Sequence, residues 1–159
     1  MNDDLYKEKI FLKATTISLA IVTLIFLLLL ISEILFTKNI FLTVLVFFLF
    51  VGFILLTFNF NTLTIRINPH FIKIAYGIFN RTTSWENIRD CYLDNVSNLR
   101  YGGLGIRYAR VKGKWRVIYN TYNTARVVLV LRKGKIKEIV FSTKNPEEAM
   151  KLINQQIRK

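Results

Sequence analysis

The chain has 159 residues, 52% of them hydrophobic, and a formal net charge of +13 at pH 7. That apolar content is high for a soluble domain. A single Cys and a single His leave no disulfide framework within the chain and almost no zinc chemistry.

The apolar residues are concentrated at the front. Lys7, Lys9 and Lys13 lead into "ATTISLAIVTLIFLLLLI", Ala14 to Ile31, which holds no charge. Ser32 and Glu33 interrupt, and Ile34, Leu35 and Phe36 finish the run. After Thr37-Lys38-Asn39 comes "IFLTVLVFFLFVGFILLTF", Ile40 to Phe58, again without charge. At about 1.5 Å rise per residue each run reaches the ~30 Å of a bilayer core. Both are apolar all round, so they predict a hairpin of two transmembrane helices, at about 12–36 and 39–59, within an N-terminal part of residues 1–59. The remaining residues could not cover two such helices in a soluble core. The first run is too long for a signal sequence, and no small-x-small cleavage site follows it. Glu33 lies about one turn from the boundary, close to Lys38, and is read as an acid reaching the interface rather than a transport group.

Basic residues flank the hairpin on its outer sides, while the connecting turn has only Lys38. The positive-inside bias places both termini in the cytoplasm of a multi-pass cell-membrane protein. In that topology the triplets Asn80-Arg81-Thr82 and Asn95-Val96-Ser97 are chance matches to a glycosylation signal. A lone Cys91 suits a reducing compartment.

Within residues 1–59 the charges cancel, so the whole excess lies in 60–159. No acid occurs between Asp94 and Glu138, whereas eleven Lys and Arg do. A block of one sign attracts anionic partners. Asn59-Phe60-Asn61 spans only about 10 Å when extended, which holds the basic part near the leaflet.

That part reads as short strands: Thr62–Ile67, Phe71–Tyr76, Arg81–Ser84, Ile88–Leu93, Trp115–Tyr119, Arg126–Leu131 and Ile136–Phe141. Lys133-Gly134-Lys135 is a tight hairpin turn. A closing helix has Asn145 as N-cap, Pro146 first, two acids in its first turn, and Ala149, Leu152, Ile153 and Ile157 on one face. The fold class is therefore a membrane hairpin followed by a mainly antiparallel β domain over 60–159 with a C-terminal helix. With Ser84-Trp85-Glu86-Asn87-Ile88, Tyr101-Gly102-Gly103-Leu104-Gly105-Ile106-Arg107 and Phe141-Ser142-Thr143-Lys144-Asn145-Pro146-Glu147, this order resembles the bacterial and archaeal pleckstrin-homology-like (PH-like) domains, which often follow two membrane helices. The resemblance covers roughly residues 60–157. It implies a seven-stranded PH-like barrel plugged by the last helix. It implies no reaction, and no phosphoinositide motif matches residue by residue.

Gly102-Gly103-Leu104-Gly105 is neither a dinucleotide fingerprint nor a P-loop. It reads first as a turn or bulge between strands, and second as an anion nest flanked by Arg100 and Arg107. The residues assigned to anionic lipid or partner binding are Arg100, Arg107, Arg110, Lys112, Lys114, Trp115 and Arg116, with Trp115 and Tyr108 suited to a membrane interface. Nucleic acid is disfavoured for want of a recognition motif. Trp85 reads as core and His70 as a solvated turn residue. Glu86, Asp90 and Asp94 recur every four residues and read as surface partners of Arg81 and Arg89. No catalytic constellation stands out, and no cofactor or metal is expected. The sequence points to a non-enzymatic membrane protein presenting a basic PH-like module at the cytoplasmic surface. The alternative is a subunit of a membrane complex, scaffold or transporter-associated, whose basic face meets an acidic partner. Self-association is a further option.

Overall fold

A computed structural model describes residues 4–158 of the chain, which fall into two compact units. The first to be considered spans Leu12–Asn61 and is helical. Helix α1 covers Lys13–Ser32 and runs into a π-helical turn over Glu33–Thr37; helix α2 covers Ile40–Asn59. Lys38 breaks the run in a left-handed conformation, and its N–H donates to the Glu33 carbonyl at 2.8 Å. Asn39 then caps α2, its Oδ1 accepting from the Phe41 and Leu42 amides at 3.1 and 3.3 Å. Phe26 stacks on Phe53 between the helices, with centroids 5.0 Å apart. At the feet of the hairpin the Leu12 amide donates to the Asn61 carbonyl at 2.8 Å. Most side chains of both helices are exposed, and both are long and apolar enough to cross a membrane. Left in water, that surface would far exceed the apolar patch a soluble protein carries.

The other unit joins the N-terminal strand to everything from Thr62 onward. Strand β1, Tyr6–Phe11, pairs antiparallel with β2, Thr62–Ile67, from Tyr6 opposite Ile67 to Phe11 opposite Thr62. Sequence reading assigned residues 6–11 to a tail ahead of the helices; they are the edge strand of a sheet whose ladder flanks the helical insertion. Strands β3, Phe71–Tyr76, and β4, Phe79–Ser84, complete a sheet of order β1-β2-β3-β4. Alternation buries Leu63, Ile65, Ile67, Ile72 and Ile74 on one face.

The second sheet holds β5, Ile88–Leu93; β6, Gly105–Val111; β7, Lys114–Asn120; β8, Ala125–Leu131; and β9, Glu138–Thr143. Its order is β5-β8-β9-β7-β6. It is not a simple meander, because β7 and β9 run parallel at its centre. Nine strands thus form where seven were expected, and the described residues show two separate sheets rather than a closed barrel. The connection expected as a tight turn at Lys133–Lys135 extends over 132–137 and is held by the Leu131 amide donating to the Lys137 carbonyl. Helix α3, Pro146–Ile157, packs on β5 and β8 through Ala149, Ile153 and Gln156. Asn145 occupies its N-cap position, yet its side chain makes no capping bond; its own amide donates to Thr143 Oγ1 instead.

The two sheets are registered at both ends. Tyr76, opposite Leu63 and Phe79, stacks on Tyr119 and donates its hydroxyl to the Asn120 carbonyl at 2.8 Å. At the opposite end Trp85 is buried and donates Nε1 to the Asn68 carbonyl, while the Asn87 carbonyl accepts from the Arg132 amide. The chain leaves for the helices, at Phe11 and Thr62, from the Tyr76–Asn120 end.

Candidate functional site

The glycine stretch is resolved by its backbone. Gly102, Gly103 and Gly105 have φ of 72, 103 and 88°, a region that side chains with a Cβ rarely enter. They let the chain turn back after Tyr101 and start β6. Asn120 Nδ2 donates to the Gly103 carbonyl at 2.9 Å, and Tyr101 is buried with Val111, Ile118, Val128 and Val140. The segment is a cover over one face of the second sheet.

A buried ion network fastens that cover. Asp94 Oδ2 accepts from Arg126 Nε at 3.0 Å, and Asp94 Oδ1 lies 3.4 Å from Arg116 Nη1. Arg116 Nε meets Glu138 Oε2 at 2.5 Å, a pair set up by their positions opposite each other on parallel β7 and β9. The Tyr101 hydroxyl bridges Arg116 and Asp94, Arg116 also donates to the Tyr92 hydroxyl, and Arg126 donates to the Val96 carbonyl. Two acids and two guanidinium groups balance, as burial requires. Burial, and then the Asp94 carboxylate, push the Tyr101 hydroxyl up to about 12. Burial alone would weaken the Arg116 proton, but the Tyr101 hydroxyl and Glu138 hold it more tightly than usual. Burial, and then Asp90, push the Cys91 thiol up to about 11, so Cys91 is an unreactive core group.

Two sequence expectations are corrected here. Arg116 does not belong to a binding surface: it is buried and committed to Glu138 and Asp94. Asp94 is no surface partner of Arg81 or Arg89; it bonds Arg116 and Arg126, while Asp90 Oδ1 accepts from the Cys91 amide. His70 is exposed in the turn after Asn68, as read from the sequence.

The other assigned residues are exposed but scattered. Arg100 lies in the 3₁₀ turn Asn98–Tyr101, and Arg107 and Arg110 on edge strand β6, where charge discourages further strand pairing. Arg110 Nε donates to the Gly113 carbonyl. Lys112 and Gly113, with φ of 49 and 79°, make the two-residue turn from β6 to β7. Lys114 and Trp115 line a groove with partners the sequence reading did not select: Arg89 from β5, Arg132 at the end of β8, and Lys135 and Lys137 before β9. Its volume is about 440 Å³, and no acid is among its lining residues. The Lys137 amide donates to the Trp115 carbonyl at 2.9 Å, and Asn87 takes the Arg132 and Lys133 amides on its carbonyl and side chain. The first of these bonds brings the two basic turns together, and the other two fix the 132–137 connection beside the start of β5. Glu138 Oε1 lies 3.5 Å from the Lys114 Nζ. The groove opens at the end remote from the chain exits. The Asn120 end of β7 meets Tyr76, and Lys114 begins the same strand about 20 Å away.

No protein-family model, no curated protein and no solved structure matches this chain.

Proposed function

We propose that this protein is a membrane-anchored binding module. Two crossing helices tether a β unit whose basic groove takes an anionic group, and the occupant that fits best is an acidic segment of a soluble protein. The observation that carries this reading is the groove itself: Arg89, Lys114, Arg132, Lys135 and Lys137 around the half-exposed Trp115, with no acid in the lining. Five like charges in one concavity repel one another, and an anionic ligand relieves that repulsion. An acidic protein is favoured over lipid by shape: the groove is a concavity of about 440 Å³, which an extended acidic segment enters and a flat leaflet does not. The unit is read as cytoplasmic from the charge flanking the helices. The PH-like assignment rests on the order of strands and closing helix, and this reading does not depend on it.

The test uses the full chain in nanodiscs of zwitterionic lipid and a fluorescent deca-glutamate peptide. Binding is expected to weaken with salt. The variant K114Q/R132Q/K135Q/K137Q should lose about tenfold in affinity, or about 1.4 kcal/mol, with unchanged melting. Equal affinity of variant and parent would sink the groove. Binding to phosphatidylserine vesicles but not to the peptide, lost in the same variant, would transfer the groove to lipid.

A further inference from the structure

The opposite end of the β unit has a different chemistry. The pairs Phe11–Thr62 and Tyr76–Phe79 both lie at the end of the first sheet where the chain leaves for α1 and arrives from α2. The turn from β3 to β4 at that end is Gly77-Ile78. Ile78 is 77% exposed, Phe79 48% and Phe11 55%. The hydrogen bond from Tyr76 to Asn120 brings the turn between β7 and β8 to the same end, and there Tyr122 is 73% exposed. From Tyr76 to Trp85 the sole charge is Arg81, apart from which the tip is apolar or neutral; from Asn120 to Ala125 there is none.

Two apolar side chains at a tight turn expose more hydrocarbon than the turn geometry needs. Gly77, at φ 51°, makes the turn, and any polar residue could follow it. Four exposed apolar or aromatic side chains gathered at the end from which two bilayer-length helices depart fit the interfacial layer of a membrane, where Phe and Ile enter the acyl boundary and Tyr stays at head-group depth.

We infer that the β3–β4 tip, Ile78 and Phe79, with Tyr122 and, on the far edge strand, Phe11 at the same end of the unit, dips into the lipid interface and fixes the β unit on the bilayer by its apolar end. This rests on the reading that α1 and α2 cross the membrane. Burying Ile78 and Phe79 in lipid would hold the unit upright, with its basic groove facing away from the leaflet.

The experiment places a nitroxide label at Ile78→Cys in the full chain reconstituted in phosphatidylcholine bilayers, in a Cys91→Ser background. Leu28→Cys in α1 and Lys133→Cys beside the groove are measured alongside. Relaxation by oxygen is compared with relaxation by a water-soluble nickel complex. Oxygen should dominate at 28 and 78, and nickel at 133. Oxygen at 28 with nickel at 78 overturns the inference and leaves the membrane reading standing. Nickel at 28 overturns the membrane reading and the inference with it. Oxygen at all three positions would show immersion of the whole unit and would also overturn it.

Discussion

Asp94 shows how one side chain holds a surface loop in place. Its side chain is 1% exposed and takes both Arg116 and Arg126, 22 and 32 residues further along the chain, so the segment that starts at Asp94 is tied to β7 and β8. Asp94→Asn keeps the shape and removes the charge, leaving two buried cations with one acid, Glu138. Breaking a buried pair in this way costs about 3–5 kcal/mol. We expect the variant to lose that much in denaturant unfolding, and the loop amides of Val96 to Gly105 to exchange faster than those of β8. Equal loss of protection throughout would show that Asp94 serves the whole core instead. None of this was legible in the sequence. Asp94 falls in a four-residue rhythm with Glu86 and Asp90, and Arg116 falls in a rhythm of exposed cations. What separates Arg116 from its neighbours is the parallel pairing of β7 with β9, and what separates Asp94 is its place beside Arg126 at the end of the β5–β8 ladder; both are long-range contacts with no local signature. The glycines were legible, because three positive-φ positions within four residues are a matter of local sterics.

At the scale of elements, β1 is the strand the sequence concealed. Tyr6, Glu8 and Ile10 face inward while Lys7, Lys9 and Phe11 face out. An acid at the centre of the inward face breaks the apolar alternation by which strands are read, and three lysines before an apolar run look like the flank of a membrane helix. Glu8 is tolerated because it is fully used: Oε2 accepts from the Thr143 and Tyr6 hydroxyls at 2.6 and 2.8 Å, and Oε1 from the Lys144 amide at 2.8 Å. It ties β1 to the corner between β9 and α3. Glu8→Ala orphans these donors, and we expect a loss of about 3 kcal/mol, from bonds to a charged acceptor worth ~1.5–3 kcal/mol each less what water restores. Glu8→Gln should recover part of it. A drop in the unfolding midpoint no larger than that of Lys7→Ala would contradict the role. The two membrane-length helices, by contrast, were read with nearly their observed bounds, since length and uniform apolarity are local properties. Strands β2 and β3 are legible by alternation, β4, β5 and β7 to β9 as short runs between turn residues, and β6 is absent from the strands expected.

At the scale of the molecule, the ladder of β1 on β2 makes a statement about topology that does not rest on charge. Strands that flank the two helices and pair residue for residue belong to one side of whatever the helices cross. Reporters fused to the N- and C-termini are expected to respond alike, both active in the cytoplasm; opposite responses would require the β1–β2 ladder to be broken. No local pattern signals this closure, because the partners are separated by roughly fifty residues of unrelated character. The same closure dictates an order of events during synthesis. Strand β1 emerges first and has no partner until β2 follows, a wait of about 3–10 s at ~5–20 residues per second. A hairpin already threaded into the bilayer returns the chain to its starting point and removes most of the entropy cost of meeting β1. A chain whose helices fail to insert is left with β1 astray and the edge of β2 bare, open to pairing with another copy. On the proposal that the helices cross a bilayer, correct delivery to the membrane becomes a condition for finishing the β unit, and the seam between β1 and β2 would be its checkpoint.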